Sequence, residues 1–330
     1  MAGNEEQERR IHYPPILNGI DYLRDVVDRL AGESGAPNLR DLKYAVLHLQ
    51  AASEVLLKAR LSQHDWTLVY ADPEEADEKG YRAGEFESAK AQQTVDRLRD
   101  LVKIPISHGD WLHVRELASD RNKLQHWGLT AAANAVLTRA ANVLDFLIRF
   151  LDDHLLPELK ADDTEAVTDD LEVIRRGLAR IESYVNQRMT RLKKAELNGK
   201  KAQERTVRCP DCQQLALILD GEKSRCVFCP RDWADVMELA LSYDATFGEF
   251  TAPGDPHEDI LVECPDCGGQ QTLFLGVERA SRSRKYVNLC FSCQEIFNEL
   301  TRCPECRRYR EPLDDEDVEA MCVDCFPNCA

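Results

Sequence analysis

Residues 209–229 read CPDCQQLALILDGEKSRCVFC, a short apolar segment with one Cys-x-x-Cys pair on each side. Asp220 and Gly221 form the dipeptide that most strongly predicts a tight turn between two β-strands. A hairpin flanked in this way brings four thiolates together, which is the ligand set of a tetrahedral metal site. The segment therefore predicts a small β-module folded around a metal ion.

The same arrangement occurs three times in the C-terminal part of the chain. All 13 cysteines lie after residue 208, and 12 of them form six Cys-x-x-Cys pairs. In an intracellular protein this spacing indicates metal binding rather than disulfides. We expect three zinc ribbons with three structural Zn²⁺ ions, iron in a rubredoxin-like knuckle being the alternative. The expected ligands are Cys209, Cys212, Cys226 and Cys229; Cys264, Cys267, Cys290 and Cys293; and Cys303, Cys306, Cys322 and Cys325.

The ribbons are assigned to residues 206–231, 260–297 and 298–330, with a connecting helix and loop at 232–259. Redox-active dithiols are disfavoured because such motifs accompany a βαβ unit, which this sequence lacks. Ribbons bind nucleic acid, bind protein, or only hold a scaffold. The second hairpin has a basic tip (Arg279, Arg282, Arg284 and Lys285) that slightly favours RNA or DNA. Cys329 is left over as a free thiol.

Residues 11–160 predict an all-α helical bundle, because apolar residues recur there at three- and four-residue steps. Asn38 is a good helix N-cap, and Pro105 and Pro157 are expected to end helices. Asp72–Gly84 is charged and contains Pro and Gly, so we expect a loop. The predicted helices are Ile16–Leu30, Asn38–Ser62, Glu87–Val102, Asp110–His126 and Thr130–Leu156.

Residues 161–205 are predicted to form a helical linker or stalk, in which an acidic linker at 161–164 precedes one long helix from Glu165 to about Ala202. Leu171, Leu178 and Val185 follow a spacing of seven residues, which suits a short coiled coil or a stalk docked on the bundle. Its C-terminal end is basic, and two interpretations stay open: a solvated helix end, or a phosphate- or RNA-guiding surface. The basic residues are Arg188, Arg191, Lys193, Lys194, Lys200, Lys201, Arg205 and Arg208.

Composition limits the possible functions. The chain has 42 basic and 59 acidic residues among 330, a net charge of −17. This balance argues against general coating of a polyanion, so nucleic acid would have to bind at a local basic patch. No apolar run approaches the ~18 residues of a membrane helix. The N-terminus lacks the features of a secretory signal. We expect a soluble, cytoplasmic protein.

Two Arg-x4-His pairs are candidates for chemistry. Arg121 and His126 lie where the fourth predicted helix ends before Gly128, so the backbone could turn and bring both groups to one cleft. Arg149 and His154 lie inside a predicted helix, where a step of five residues separates side chains by about 140°. The sequence context therefore favours Arg121 and His126, with Asn122 beside them.

At these residues the chain resembles the HEPN domain, an all-α ribonuclease fold of toxin and antiviral-defence systems. The resemblance covers roughly Ile16 to Leu156. It is found in residues 51–61 (AASEVLLKARL), in Gly84-Glu85-Phe86, and in Arg121-Asn122 with His126, which match the family's active-site motif. It says nothing about the stalk or the ribbons.

The resemblance implies a metal-independent endoribonuclease that cleaves RNA by attack of the ribose 2′-OH. His126 would be the general acid/base, Arg121 the transition-state stabiliser, and Asn122 would position the phosphate or His126. It also implies a homodimer in which two motifs share one groove. We expect Glu54 and Lys58 to form a structural pair or to support the site, and Trp127 to be a core residue rather than a base-stacking platform.

The alternative is a non-catalytic HEPN-like dimeric adaptor whose zinc ribbons bind protein or nucleic acid. The net charge slightly favours the adaptor, and the intact motif favours the enzyme. The sequence leaves open which RNA is cut and which protein partner regulates or neutralises the activity.

Overall fold

The computed structural model describes residues 11–32, 37–221, 223–251, 260–281 and 285–312, together with Cys322 and Cys325. The chain divides into two compact units, Met1–Arg188 and Met189–Ala330. The first is a helical bundle, and the second contains small antiparallel sheets. This confirms the predicted combination of a helical bundle with small β-modules.

The first unit is built around α1 and α2, which pack along each other. Asn38 caps α2 by accepting hydrogen bonds from the backbone N–H groups of Arg40 and Asp41, each at 2.9 Å. Ile20, Leu23 and Leu49 are fully buried between the helices. The helices that begin in this unit are α1 (Pro15–Ala31), α2 (Leu39–His64), α3 (Glu78–Ala83), α4 (Ala91–Asp100), α5 (His108–His126), α6 (Ala133–Phe150), α7 (Ala161–Leu178) and α8 (Glu182–Ala195).

The segment between α2 and α4 differs from the prediction. The expected loop Asp72–Gly84 contains α3, where Asp77 caps the helix by accepting from the Gly80 N–H at 2.6 Å. The expected helix start at Glu87 is also wrong. The Ala71 N–H donates to the Glu87 carbonyl and the Ala89 N–H to the Val69 carbonyl, both at 2.8 Å. This extended pairing delays the start of α4 to Ala91.

The end of α6 also differs from the prediction. The expected helix Thr130–Leu156 is regular only over Ala133–Phe150. A π-helical turn, Leu151–Leu155, and a 3₁₀ turn, Leu156–Glu158, follow it. Pro157 therefore lies in the final turn, as its lack of an N–H requires.

The single long helix predicted from Glu165 to about Ala202 is wrong. The segment forms three helices, α7, α8 and α9 (Lys200–Arg205), and α7 packs on α1 within the first unit. At Gly177 a Cβ would lie 2.2 Å from Cγ1 of Val27, so this close approach requires a glycine. The seven-residue spacing thus buries α7 against the bundle and does not build a coiled coil.

Arg188 does not belong to a solvated basic surface. It is 4% exposed, and its Nη1 donates to Oδ1 of Asp145 at 3.3 Å. Asp145 is also buried and accepts from Nε of Arg149 at 3.4 Å. Because both partners are withdrawn from water, this pair is structural, and Arg188 is unavailable to a phosphate.

Replacing Arg188 by alanine is expected to cost about 3–5 kcal/mol of unfolding free energy, because Asp145 would be left buried with a poorer partner. Urea denaturation of the full chain, followed by helical circular dichroism, measures this cost. Lys194→Ala, an exposed position on the same helix, should change it by less than about 0.5 kcal/mol. Equal effects of the two substitutions would contradict the structural role.

The second unit contains two four-stranded antiparallel sheets and one two-stranded sheet among the described residues. In each four-stranded sheet the strands follow chain order. The strands are β1 (Thr206–Arg208), β2 (Leu215–Ile218), β3 (Ser224–Cys226) and β4 (Asp232–Trp233); β5 (Leu261–Val262), β6 (Leu273–Glu278), β7 (Tyr286–Cys290) and β8 (Ile296–Phe297); and β9 (Thr301–Arg302) with β10 (Tyr309–Arg310).

The first two ribbons are joined to each other within this unit. The Ala280 N–H donates to the Thr206 carbonyl at 2.8 Å, and Val207 forms a bridge with Arg279. The connecting helix α10 (Val236–Thr251) packs on the second sheet through Tyr243. The predicted helix start at Asp232 is wrong, since Asp232 and Trp233 form β4 and pair with β3.

The predicted basic tip of the second hairpin is partly neutralised. Glu278 binds Nε of Arg208 at 2.6 Å and Nζ of Lys285 at 3.2 Å. Arg282 and Arg284 lie outside the described residues, as do residues 313–321 and Cys329. Within the part of the chain that the structure describes, no helix combines the length and apolar composition needed to cross a membrane.

Candidate metal centres and a candidate site on the helical unit

The structure brings the cysteines together in the three quartets that the sequence predicts. In each quartet the four sulfur atoms lie within 4.8 Å of one another. Opposite pairs are 3.6–3.8 Å apart: Cys209–Cys229, Cys212–Cys226, Cys264–Cys293, Cys267–Cys290 and Cys306–Cys322. Tetrahedral Zn–S bonds of about 2.3 Å require sulfurs about 3.8 Å apart. Each quartet could therefore hold a metal ion.

Four of the six Cys-x-x-Cys turns share one backbone geometry. The residue after the second cysteine has a left-handed φ at Gln213, Gly268, Gln294 and Arg307, between 58° and 68°. In each turn the N–H of this residue donates to the carbonyl of the first cysteine at 2.9–3.0 Å. The turn points both thiols to one side, so the backbone positions the ligands.

Gly268→Val is expected to destabilise the second ribbon by about 1–2 kcal/mol, because a branched residue is strained at this left-handed φ. Apart from its chain neighbours, no described residue lies within 4 Å of the position that its Cβ would take, so backbone strain is the expected main cost. Metal loss in a chelator titration measures the effect. The matched control is Gln294→Gly at φ 63°, which should leave metal retention unchanged or improve it. Equal retention in the two variants would contradict the strain argument.

The charge of the first quartet also favours a cation. Hydrogen bonds from the neighbouring thiols, first that of Cys209, hold the pKa of Cys229 far below its usual range. Burial raises the pKa of Cys226, and shared hydrogen bonds, first with Cys209, raise that of Cys212. Four adjacent sulfurs cannot all be thiolates unless a positive charge lies among them.

The quartets differ in exposure. In the first, three cysteines are buried and Cys229 is partly exposed; in the second, Cys267 and Cys293 are exposed; in the third, only Cys303 is buried. In the second ribbon, Cys264 and Cys290 form the hydrophobic core together with Leu273 and Phe297. The ligands are thus also core residues, and metal binding and folding are coupled.

The structure places the predicted catalytic residues at the C-terminal end of α5. The expected turn of the backbone between Arg121 and His126 is absent, because α5 continues through His126. On a regular helix these two side chains point about 140° apart. Nη1 of Arg121 donates to Oδ1 of Asn122 at 2.9 Å, and Asn122 and His126 are exposed. The motif lies at the surface. Within one chain, Arg121 and His126 lie on two different faces of α5.

The second Arg-x4-His pair has a structural role. Arg149 binds Oδ1 of Asp110 at 2.8 Å and Oδ2 of Asp145 at 3.4 Å, which ties α6 to the start of α5. His154 packs edge-on against Phe150, with ring centroids 5.9 Å apart. Arg149 therefore stabilises the fold and is unsuited to bind a phosphate.

The structure bears on two predictions about residues near the motif, one for Trp127 and one for the pair Glu54 and Lys58. Trp127 is 98% exposed, so its prediction as a core residue is wrong: it follows the last helical residue and lies at the surface. Lys58 Nζ lies 2.6 Å from Oε1 of Glu54 and 2.8 Å from Oγ of Ser88. Burial raises the pKa of Glu54, but the hydrogen bond and the charge of Lys58 outweigh it, with smaller contributions from Gln50 and Arg121, so that pKa is lowered.

A cavity of about 370 Å³ lies between α2, α4 and α5, and sequence reasoning missed it. Asn122 lines it, whereas Arg121 and His126 do not. No local pattern marks such a cavity, because its walls come from three separate helices. The lining residues are Gln50, Ser53, Glu54, Leu57, Ala91, Thr94, Trp111, Val114, Arg115, Ala118, Ser119, Asn122 and Lys123.

Comparison with protein-family models, with curated proteins and with solved structures finds no match to this chain. The assignment of a function therefore depends on the geometry and chemistry of the residues themselves.

Proposed function

We propose that the protein is a metal-independent endoribonuclease of the HEPN type that acts as a homodimer. His126 removes the 2′-OH proton or protonates the leaving 5′-oxygen, and Arg121 stabilises the charge that develops on the phosphate. Asn122 positions the phosphate or His126. A role in toxin or antiviral-defence systems follows from the same resemblance.

The contrast between the two Arg-x4-His pairs is the observation that supports this proposal most directly. Arg149 is held by two carboxylates, as a structural arginine is. The guanidinium of Arg121 donates to the neutral Asn122, and His126 is exposed one turn further along α5. A cation and an imidazole at an exposed helix end are placed where a phosphodiester can reach them.

The regularity of α5 supports the proposed homodimer. Since Arg121 and His126 point about 140° apart on one helix, one phosphate cannot contact both in a single chain without a change in the helix. A second copy can supply the missing group. The exposed Trp127 beside His126 provides apolar surface that such a contact would cover.

We propose that the three quartets hold structural Zn²⁺. All four positions are thiolates, so no ligand position is left for water, as in structural rather than catalytic zinc sites. The ribbons then hold or select RNA. Elemental analysis should find three zinc ions per chain, and iron in their place would support the rubredoxin-like alternative.

The test of nuclease activity is cleavage of labelled single-stranded RNA without added divalent metal and without a chelator, so that the ribbons stay folded. We expect products with 2′,3′-cyclic phosphate and 5′-hydroxyl ends. Arg121→Ala and His126→Ala should each lower the rate by about 10²-fold or more. His154→Ala, in the structural pair, is the matched control and should keep the wild-type rate.

Two results would contradict the nuclease. One is cleavage of RNA whose riboses lack the 2′-OH, and the other is equal activity of His126→Ala and His154→Ala. A wild-type protein that is dimeric, binds zinc and cleaves no RNA would instead support the non-catalytic adaptor.

A further inference from the structure

Trp127 presents a large apolar ring on an anchored backbone. Its side chain is 98% exposed, whereas Trp111 and Trp233 are 6% and 3% exposed. The Trp127 N–H donates to the Lys123 carbonyl at 2.9 Å, which attaches the residue to the end of α5. A tryptophan buries about 150–250 Å² in a core or an interface. The position of this ring therefore suits contact with another molecule.

The cavity between α2, α4 and α5 has an apolar interior that matches such a ring. Leu57, Trp111 and Val114 line it and are buried. Glu54 also lines it, but Oε1 of this carboxylate already accepts from Lys58 at 2.6 Å. The volume of about 370 Å³ exceeds the roughly 150 Å³ that accommodates a benzene ring inside a protein. An apolar side chain as large as an indole therefore fits this interior.

The cavity is bordered by one exposed face of α5. Arg115, Ser119 and Asn122 line the cavity and are exposed. With 3.6 residues per turn, these three residues and His126 lie on the same face of the helix. A molecule that packs on this face thus reaches both the cavity and His126.

A second copy of the chain can bring its Trp127 to this cavity. The lining residues of α5 run from Trp111 to Lys123, so the middle of this stretch is Leu117. Trp127 lies about 15 Å beyond Leu117 along the helix direction. In a twofold dimer with antiparallel α5 helices, an axis midway between them, at Asn122, places each Trp127 opposite Leu117 of the partner subunit.

We infer that Trp127 of each chain inserts into the cavity of the other chain, and that this contact assembles the two-chain site. The inference rests on the proposed function, which requires a homodimer. The same register places Arg121 about 4.5 Å, measured along the helix axis, from the partner's His126. Within one chain the two side chains point about 140° apart. One arrangement thus covers the exposed ring, fills the cavity and brings the guanidinium towards an imidazole.

The first experiment measures the dimer dissociation constant of the full-length protein by size-exclusion chromatography with light scattering over a range of concentrations. Trp127→Ala should raise this constant about 100-fold or more, as removal of a buried interface tryptophan does. Its RNA cleavage should fall with the dimer fraction and recover at high protein concentration. The matched control is Leu39→Ala, at a residue that is 77% exposed, which should change neither quantity.

The second experiment tests whether the cavity receives the ring. Ala118→Trp places an indole in the cavity from its own wall, so this variant alone should also be monomeric, whereas Ala166→Trp on the exposed side of α7 should not. A mixture of Trp127→Ala and Ala118→Trp chains should dimerise where each variant alone does not. In the mixed dimer the remaining Trp127 meets an intact cavity, and the filled cavity meets an alanine. A folding defect in either variant would not be repaired by mixing.

The outcomes separate this inference from the proposed function. A dimer that depends on Trp127 and is restored in the mixture, in a protein that cleaves no RNA, supports the contact and contradicts the nuclease. RNA cleavage by a dimer whose dissociation constant is the same in Trp127→Ala and wild type overturns the contact and leaves the nuclease standing. Loss of the dimer in both variants without recovery in the mixture also overturns insertion into the cavity. A wild-type monomer that cleaves RNA overturns both the contact and the homodimer.

Discussion

Removal of metal with a strong chelator is expected to unfold the ribbons of the second unit and to leave the helices of the first unit intact. Structural zinc sites of this kind contribute on the order of 10 kcal/mol or more to folding. The sheets have strands of two to six residues, and the core of the second ribbon contains two of its own ligands. Nothing comparable in the described residues could replace that energy.

The measurement combines zinc release with limited proteolysis and circular dichroism. Three zinc equivalents should be released, the first quartet losing its ion last because three of its cysteines are buried. Protease should then cut after residue 205 while the helical signal of the first unit persists. Cys212→Ser should lower zinc content by one equivalent. Cys329→Ser, outside the quartets, is the matched control and should keep all three.

Two results would contradict the structural role of the quartets. One is a chelated protein whose second unit still resists protease. The other is zinc content that does not change between Cys212→Ser and Cys329→Ser. Release of the first quartet's ion before the others would contradict the argument from burial.

The quartets were predictable because their chemistry is local. A Cys-x-x-Cys turn needs only four residues to aim two thiols, and Asp220-Gly221 sets the hairpin between two such turns. The five long helices of the bundle were predictable in order for the same reason, since Asn38 and the apolar periodicity act within one element, whereas the short α3 was missed. The first four long helices were found with errors of a few residues, apart from the delayed start of α4.

The errors come from contacts between distant parts of the chain. The backbone of Val69 pairs with the segment before α4. Because that segment is extended, α4 begins later than predicted. Gly177 lies against Val27, so α7 packs on the bundle, which is one of the two predicted alternatives, and the error is only that one long helix was expected where α7 ends at Leu178. Arg188 reads as one cation in a basic run, and only the fold shows its buried partner Asp145. The walls of the cavity come from three helices at once, so no single segment of the sequence marks it.

Heterodimers made from two inactive variants are expected to recover activity. One chain carries Arg121→Ala and the other His126→Ala, each with its own affinity tag, and tandem purification isolates the mixed dimer. If Arg121 of one chain works with His126 of the other, a twofold dimer then holds one intact site and one doubly altered site. We expect about half of the wild-type rate, although each variant alone is inactive.

The matched control is a heterodimer for which the shared site predicts loss of activity. In a dimer of a wild-type chain with an Arg121→Ala/His126→Ala chain, each shared site lacks one group, so the dimer should be inactive. A site formed within one chain predicts the opposite pattern: half activity in the control and none in the first heterodimer. The regular course of α5 to His126 favours the shared site, because it separates the guanidinium and the imidazole by about 140° around the helix. Activity in the control with none in the first heterodimer would require α5 to unwind at its end, and the shared site would be wrong.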